Sequence, residues 1–359
     1  MAPVRIAVIG AGLIGRTHIS VLRSGAPHYA LAGVADPSPA AAEEARTLGY
    51  PHFTSAEEML DRIKPDGAIV AVPNQLHVAV GLACVARRIP ILIEKPIADE
   101  VSSALKLVEA AEKAGVPTLV GHHRRHNPIM RKAAEIIAGG GIGRIVAVNG
   151  LWLSHKPRDY FNVAWRREPG GGPILINAIH DIDCLRMLCG DVESVSAATG
   201  SAVRGLKVED TAAAVLRFRN GALGTLLVSD AVSAPWSWEW GSRENPNRPH
   251  EPEDCYLVAG TQGSISVPTL RHRWHNPGEE SWDAPMTQML VPIRPADAYH
   301  QQMRNFCGVI RGTEAPVLSG RDGTMTLATT LAITRSAQQG TPVRVAEMLE
   351  VPAVDESQR

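Results

Sequence analysis

Residues 4–15 read Val-Arg-Ile-Ala-Val-Ile-Gly-Ala-Gly-Leu-Ile-Gly. The mainly β-branched and apolar run Val4 to Ile9 predicts a buried strand, and Gly10, Gly12 and Gly15 follow it in G-x-G-x-x-G spacing. A tight turn needs a residue that tolerates positive φ, which fits Gly10. A bare backbone at Gly12 lets a pyrophosphate approach, and one at Gly15 lets strand and helix pack closely. Thr17 to Arg23 continue as a helix that Ser24-Gly25 ends. Its N-terminus offers free N–H groups and a positive dipole end to phosphate. A second strand, Tyr29 to Ala35, finishes at Asp36, roughly 20 residues beyond the glycines, where a dinucleotide fold places its ribose-binding acid. Asp36 accepts hydrogen bonds from both adenine-ribose hydroxyls, its charge repels a 2′-phosphate, and Pro37, Ser38 and Pro39 bring no cation to soften that. A glycine motif alone is often only a turn. Strand, glycines, helix, strand and acid in order make Gly10, Gly12, Leu13, Ile14, Gly15 and Asp36 a candidate NAD site, with NADP less suited.

The alternation continues. Ala41 to Leu48, Glu57 to Arg62, Leu76 to Arg87 and Ser102 to Ala114 read as helices, and Ala68 to Val72, Ile91 to Ile93 and Thr118 to Val120 as strands. This predicts a doubly wound parallel sheet in a Rossmann domain over residues 1–122. Ligands of such sheets sit beyond the C-terminal strand ends. Three stretches fall there: Val72-Pro73-Asn74 with His77 one turn on, Glu94-Lys95-Pro96, and Gly121 to Pro128. A strand-end lysine is usually solvated surface. Lys95 shares a rim with the glycine loop and precedes a proline, whose peptide bond can be cis. In His122-His123-Arg124-Arg125-His126, neighbouring side chains point apart and no cysteine or acid joins them, so no metal is expected. Arg124 and Arg125 either form structural ion pairs or line a pocket wall.

The chain has 359 residues, 45% hydrophobic, with a formal net charge of -1, which argues against nucleic acid or an anionic membrane as partner. Its five cysteines are scattered without metal spacing, the N-terminus lacks signal-peptide character, and no apolar run reaches membrane-spanning length. A cytoplasmic location is expected.

The second domain, expected over 123–359, holds short β-rich runs at Ile145 to Leu151, Ala212 to Phe218, Leu223 to Val228 and Tyr256 to Ala259. It also holds Gly170-Gly171-Gly172-Pro173, which leads into Asn177, His180, Asp181 and Asp183. Alone, His180 reads as a satisfied histidine at a helix start.

Taken together, these motifs resemble the Gfo/Idh/MocA oxidoreductases, relatives of glucose–fructose oxidoreductase and inositol dehydrogenase. The resemblance rests on GAGLIG, Ala35-Asp36, VPNQLH, Glu94-Lys95-Pro96, RRHNP, Trp165-Arg166, the triple glycine with His180 and Asp183, Val208-Glu209-Asp210-Thr211, FRNGALG, AGTQGSI, QQMRNFCGVIRG and SGRDG. It spans nearly the whole chain and implies a Rossmann domain followed by an α/β domain with a large open, mainly antiparallel sheet. It implies homodimer or homotetramer contacts through that sheet. It also implies NAD(P)-dependent hydride transfer at a CH–OH carbon of a sugar, cyclitol or related small polyhydroxylated substrate. In that frame Lys95 and His180 are catalytic. Pro73, Asn74, His77, Glu94 and Lys95 lie along the cofactor, and Trp165 and Arg166 approach the nicotinamide. One departure stands out: the family's aspartate four residues before the histidine is Ile176 here, with Asn177 beside it.

His180, with a reference pKa of about 6.5, is the expected base. Lys95 would need its pKa lowered by roughly 3 units for that task and is expected to stay charged, holding the substrate oxygen. Asn177, which cannot take a proton at neutral pH, is expected to orient a hydroxyl. Asp183 either orients the imidazole or bonds within its helix. Arg124, His155, Tyr160 and Asn162 are further substrate candidates, as are His300 and Gln301. Trp236, Trp238 and Trp240 form either a sugar-stacking wall or a subunit contact. Two other readings of the same motifs are an NAD-dependent glycoside hydrolase or lyase with transient oxidation, and a non-catalytic NAD sensor.

Overall fold

The computed structural model describes residues 2–350; Met1 and 351–359, the outer ends of the two expected domains, lie outside it. Six parallel strands form the first sheet: β1 Val4–Ile9, β2 Tyr29–Ala35, β3 His52–Phe53, β4 Gly67–Val70, β5 Ile91–Ile93 and β6 Thr118–Val120. Their order is β3-β2-β1-β4-β5-β6, so the chain winds outward in both directions from β1. The helices between them are α1 Leu13–Leu22, α2 Pro39–Leu48, α3 Ala56–Ile63, α4 His77–Ala86 and α5 Val101–Ala114. β4 and β5 are buried along their whole length and β1 everywhere but Arg5, as a sheet covered on both faces requires. α1 starts at Leu13 rather than Thr17, so Leu13, Ile14 and Gly15 form its first turn.

The second sheet has nine strands: β7 Ile145–Leu153, β8 Val192–Gly200, β9 Thr211–Phe218, β10 Leu223–Ser229, β11 Tyr256–Gly260, β12 Gly263–Val267, β13 Arg271–Trp274, β14 Thr287–Leu290 and β15 Val343–Arg344. The order is β14-β13-β12-β11-β7-β10-β9-β8-β15, antiparallel except for the β7–β10 pair. The expected fold class is therefore the observed one. α6 Pro128–Ala138 and α7 Ile179–Cys189 precede β7 and β8, and α7 is buried almost throughout. β9 and β10 alternate between buried and exposed residues from Ala212 to Phe218 and from Leu223 to Val228. Ala212, Ala214, Leu216 and Leu226 face the core, while Val215, Leu223 and Leu227 face outward with Leu257 of β11.

The remaining helices are α8 Trp238–Gly241, α9 Ala298–Ile310, α10 Gly320–Gln339 and α11 Val345–Leu349. The described chain divides into two compact units, one of residues up to 126 with 296–327 and one of 127–295 with those from 328 on. Segment 296–327, expected with the second domain, packs in the first core. Met303, Phe306 and Cys307 of α9 join Ile6, Val8, Ile19, Ile69 and Leu92. A Cβ at Gly67 would stand 2.6 Å from Ile310 Cδ1, so the sheet is cut back where that helix lies.

Candidate active site

In the first unit, β1 delivers the chain into Gly10, whose φ of +97° belongs to glycine. A Cβ there would collide with the Ala71 carbonyl, and one at Gly15 with the Gly10 carbonyl. Gly12 differs: a Cβ built on it meets nothing within 4 Å, so the fold does not need this glycine. Gly12 caps α1 without a side chain, no acid occupies the first helical turn, and Leu13 is 91% exposed. Bare N–H groups beside open space suit a pyrophosphate.

Asp36 closes the arrangement. Its Oδ2 accepts from Ala11 N–H and its Oδ1 from Ser38 N–H, each at 2.8 Å. Partial burial pushes its pKa up, but these hydrogen bonds and those of the Ser38 side chain outweigh it and hold the carboxyl below the usual range. The residues fit a dinucleotide with two free ribose hydroxyls.

The next strand ends bring the other candidates. Pro73 leads into a turn at Asn74–Leu76. His77 opens α4 and is 1% exposed, with Nδ1 at 2.7 Å from Pro96 O and Nε2 at 2.9 Å from Val72 O. It ties two strand-end loops together from inside. Burial pushes its pKa down against the pull of the two carbonyls, and a neutral ring can donate to only one of them. Glu94 also points inward, 4% exposed, with Oε1 at 2.7 Å from His18 Nε2. Its Oε2 accepts from Lys95 N–H at 3.2 Å. Gly121 makes room for it, since a Cβ there would lie 2.7 Å from the Glu94 carboxyl. Burial alone would raise the Glu94 pKa. The His18 bond and the charges of His18, Lys95 and His123 reverse that and hold it below the normal range. Lys95 itself is partly exposed, and the Lys95–Pro96 bond is cis. Arg124 and Arg125, 3% and 9% exposed, sit in the short turn His123–His126, where His123 stacks on Tyr299 at 4.5 Å. His300 is occupied within this unit, 2.5 Å from Tyr29 Oη.

In the second unit, the loop after β7 carries His155, Tyr160 and Asn162, followed by Trp165 and Arg166 in the turn Ala164–Arg167. His155 and Asn162 are exposed and Trp165 is 54% exposed. Arg166 donates to Tyr160 O at 2.9 Å and its guanidinium lies 4.0 Å from the Tyr160 ring centre. The triple glycine packs on this segment, for a Cβ on Gly171 would strike the Trp165 carbonyl. Ile174–Ala178 then forms a π-helical turn holding Asn177, continuous with α7. π-turns recur at functional sites because they re-aim one side chain within a helix. Asn177 Oδ1 accepts no hydrogen bond from any described residue. His180 lies in the first turn of α7, 8% exposed. Asp181 takes the Tyr256 hydroxyl at 2.5 Å, and Asp183 is 1% exposed.

Of the tryptophans, Trp238 belongs to the core, 1% exposed and bonded to Glu244 at 2.9 Å, so the three do not form one continuous wall. Trp236 is 44% exposed, and Trp240 donates to Ser154 at 3.3 Å. Among the described residues no three His, Cys, Asp or Glu groups gather as metal ligands, and no helix is long and apolar enough to cross a membrane.

A family model described as "Oxidoreductase family, NAD-binding Rossmann fold" matches residues 4–122, and one described as "Oxidoreductase family, C-terminal alpha/beta domain" matches residues 134–345. The chain belongs to the Gfo/Idh/MocA oxidoreductase family. Among its relatives, 1,5-anhydro-D-fructose reductase of Ensifer adhaerens is 29% identical over 303 residues, 80% of this chain and 82% of that one. Myo-inositol 2-dehydrogenase of Thermotoga maritima is 25% identical over 356 residues, 96% and 99% of the two chains. The crystal structure of the WlbA dehydrogenase from Bordetella pertussis, in complex with NADH and UDP-GlcNAcA, aligns with a TM-score of 0.78 at 25% identity, covering 95% of this chain and 98% of that one.

This Gfo/Idh/MocA chain carries polar groups that sequence reasoning passed over. Lys156 is mostly buried over Asp230, with Nζ at 3.5 Å from Oδ2, and that partial burial lowers its pKa to about 8 against the carboxylate's pull. Arg204 binds the other Asp230 oxygen at 2.7 Å and also the Asp230 and Lys156 carbonyls. Lys156 adjoins a residue already suspected, and Glu209 lies in the quoted Val208–Thr211 motif. Which way each side chain turns was the missing information.

Proposed function

We propose that this chain is an NAD-dependent dehydrogenase or reductase acting at a CH–OH carbon of a cyclitol, sugar or related polyol. One observation carries the reading: β1, β4 and β5 are neighbours in the sheet, so the glycine loop and Lys95 stand on the same strand-end rim of the NAD-binding domain. The activities of the relatives, an anhydrofructose reductase and an inositol dehydrogenase, support the substrate class and favour neither the hydrolase nor the sensor reading.

In the oxidative direction bound NAD supplies the hydride acceptor. The protein's share is to place the substrate, remove its hydroxyl proton and stabilise the alkoxide. His180 is the base. Lys95 stays protonated and steadies the developing alkoxide, with Glu94 and His77 fixing its loop from beneath. Asn177, whose Oδ1 is available, orients a substrate hydroxyl. Gly10 to Gly15 and Asp36 hold the dinucleotide, Asn74 and Pro73 flank it, and Trp165 and Arg166 face the nicotinamide. Arg124, His155, Tyr160 and Asn162 read the remaining hydroxyls.

The chain acts as a cytoplasmic homo-oligomer in this reading. Val215, Leu223, Leu227 and Leu257 form an apolar face on the open sheet, which a second copy would cover. The function is tested by NADH absorbance with NAD and a panel of cyclitols, aldoses, uronic acids and cis-dihydrodiols. NADH formed with one class supports it. Tight NAD binding without turnover across the panel would discard it. Sedimentation of Leu227→Glu tests the assembly, with smaller particles than wild type expected.

A further inference from the structure

The helical run that carries Asn177 and His180 begins without a cap of its own. Pro173 stands at its N-cap position and offers no side-chain hydrogen bond. The first backbone donors of a helix need partners from elsewhere. Here the partner arrives from the far side of a long loop. Glu209 Oε1 accepts from Ile174 N–H at 3.1 Å. Its carboxyl fills the space that a side chain at 172 would take, because a Cβ on Gly172 would collide with it.

Glu209 stands on a fixed mount. Val208 before it is 4% exposed, and Asp210 after it is 2% exposed. Asp210 Oδ2 accepts from Val203 and Arg204 N–H at 3.0 and 2.9 Å. β9 starts at Thr211, whose hydroxyl donates to Asp210 Oδ1 at 2.8 Å. Burial raises the Glu209 pKa, the Ile174 N–H lowers it, and Asp230 and Lys156 act on it with opposite signs. A carboxyl oxygen at a helix N-terminus complements the dipole as well as the bare N–H. Residues 170–179, Gly-Gly-Gly-Pro-Ile-Leu-Ile-Asn-Ala-Ile, contain no ionisable side chain.

We infer that Glu209 is the positioning residue of this site. It enters the slot left by Gly172, caps the π-turn from outside, and so sets where Asn177 and His180 point. The inference rests on the proposed roles of those two residues, and its test separates the two.

Hydrogen exchange of the full-length protein, followed by mass spectrometry over 172–180, reads the cap directly. Glu209→Ala should speed exchange in that segment while leaving the first unit unchanged. Gly172→Ala, whose methyl displaces the carboxyl, should do the same. Glu209→Gln keeps an acceptor oxygen and should restore wild-type protection. With the substrate found by the panel, Glu209→Ala and Gly172→Ala should lower kcat on the order of 10- to 100-fold at unchanged NAD affinity, and Glu209→Gln should recover most of it. Unchanged exchange in Glu209→Ala would overturn the inference, as would exchange in Glu209→Gln as fast as in Glu209→Ala. Full activity of His180→Ala would instead remove the functional reading, and exchange would still decide the role of Glu209.

Discussion

His18 Nε2 lies 2.7 Å from Glu94 Oε1, and both side chains are almost wholly removed from water. His18 is on α1, one helical turn beyond Gly15, and Glu94 is the residue before Lys95. The pair therefore links the helix that receives the dinucleotide to the strand end that carries the lysine.

Removing one partner leaves a buried charge uncompensated. His18→Ala should cost about 3–5 kcal/mol of unfolding free energy, and Glu94→Gln less, because an amide still bonds the ring. Urea denaturation measures both, and a loss under about 1 kcal/mol in His18→Ala would mean the pair contributes little. The pH sign follows from the lowered Glu94 pKa. The unfolded carboxyl, near about 4.3, binds its proton first on acidification. The contribution is present above that value and fades as pH falls through the lower, folded pKa. Glu94→Gln should flatten that part of the acid limb.

Lys156 gives the same sign in an alkaline window. Its folded pKa of about 8 lies below that of a free lysine. Between that value and about 10.4 the unfolded chain binds more protons than the folded one. This site therefore adds stability as pH rises through that window, by up to about 1.4 kcal/mol per pH unit. Lys156→Met should abolish the rise. Denaturation midpoints at pH 7, 8 and 9 for both proteins settle it, and parallel profiles would contradict the assignment.

Glycines 12 and 15 should fail in different ways. Gly15→Ala sets a methyl against the Gly10 carbonyl and should lower the melting temperature. Gly12→Val meets no protein atom within 4 Å at its Cβ, so it should fold normally yet weaken NAD binding at least tenfold, about 1.4 kcal/mol. Calorimetric titration with NAD beside a thermal melt distinguishes the two, and undiminished affinity in Gly12→Val would displace the pyrophosphate from this loop.

His180→Ala and Lys95→Ala should each reduce turnover by roughly 10²–10⁴-fold with NAD affinity retained. Steady-state kinetics and NAD titration provide the check. Normal turnover in either variant removes that residue from the chemistry.

The sequence showed the β1–α1–β2 unit, Asp36 and the strand-end place of Lys95 because each is a local pattern: period, turn residue, spacing. It placed His180 at a helix start for the same reason, but not Asn177 in the π-turn before it. Side-chain direction was less legible. His77 and Glu94 sit at strand ends, where ligands bind, yet both turn inward because Val72 O, Pro96 O and His18 hold them. Glu209 reaches Ile174 across 35 positions of chain, a pairing no local window contains. α9 has an amphipathic pattern, but amphipathicity does not say which core a helix will join. Phe306 and Ile310 against Gly67 decide that.

The unequal crowding around the glycine loop has a consequence for descent. A copy of this gene freed from its redox task would still have to keep positions 10 and 15 to fold, whereas position 12 would drift without penalty to the scaffold. Retired members of such a lineage should be recognisable by a side chain at 12 between two surviving glycines.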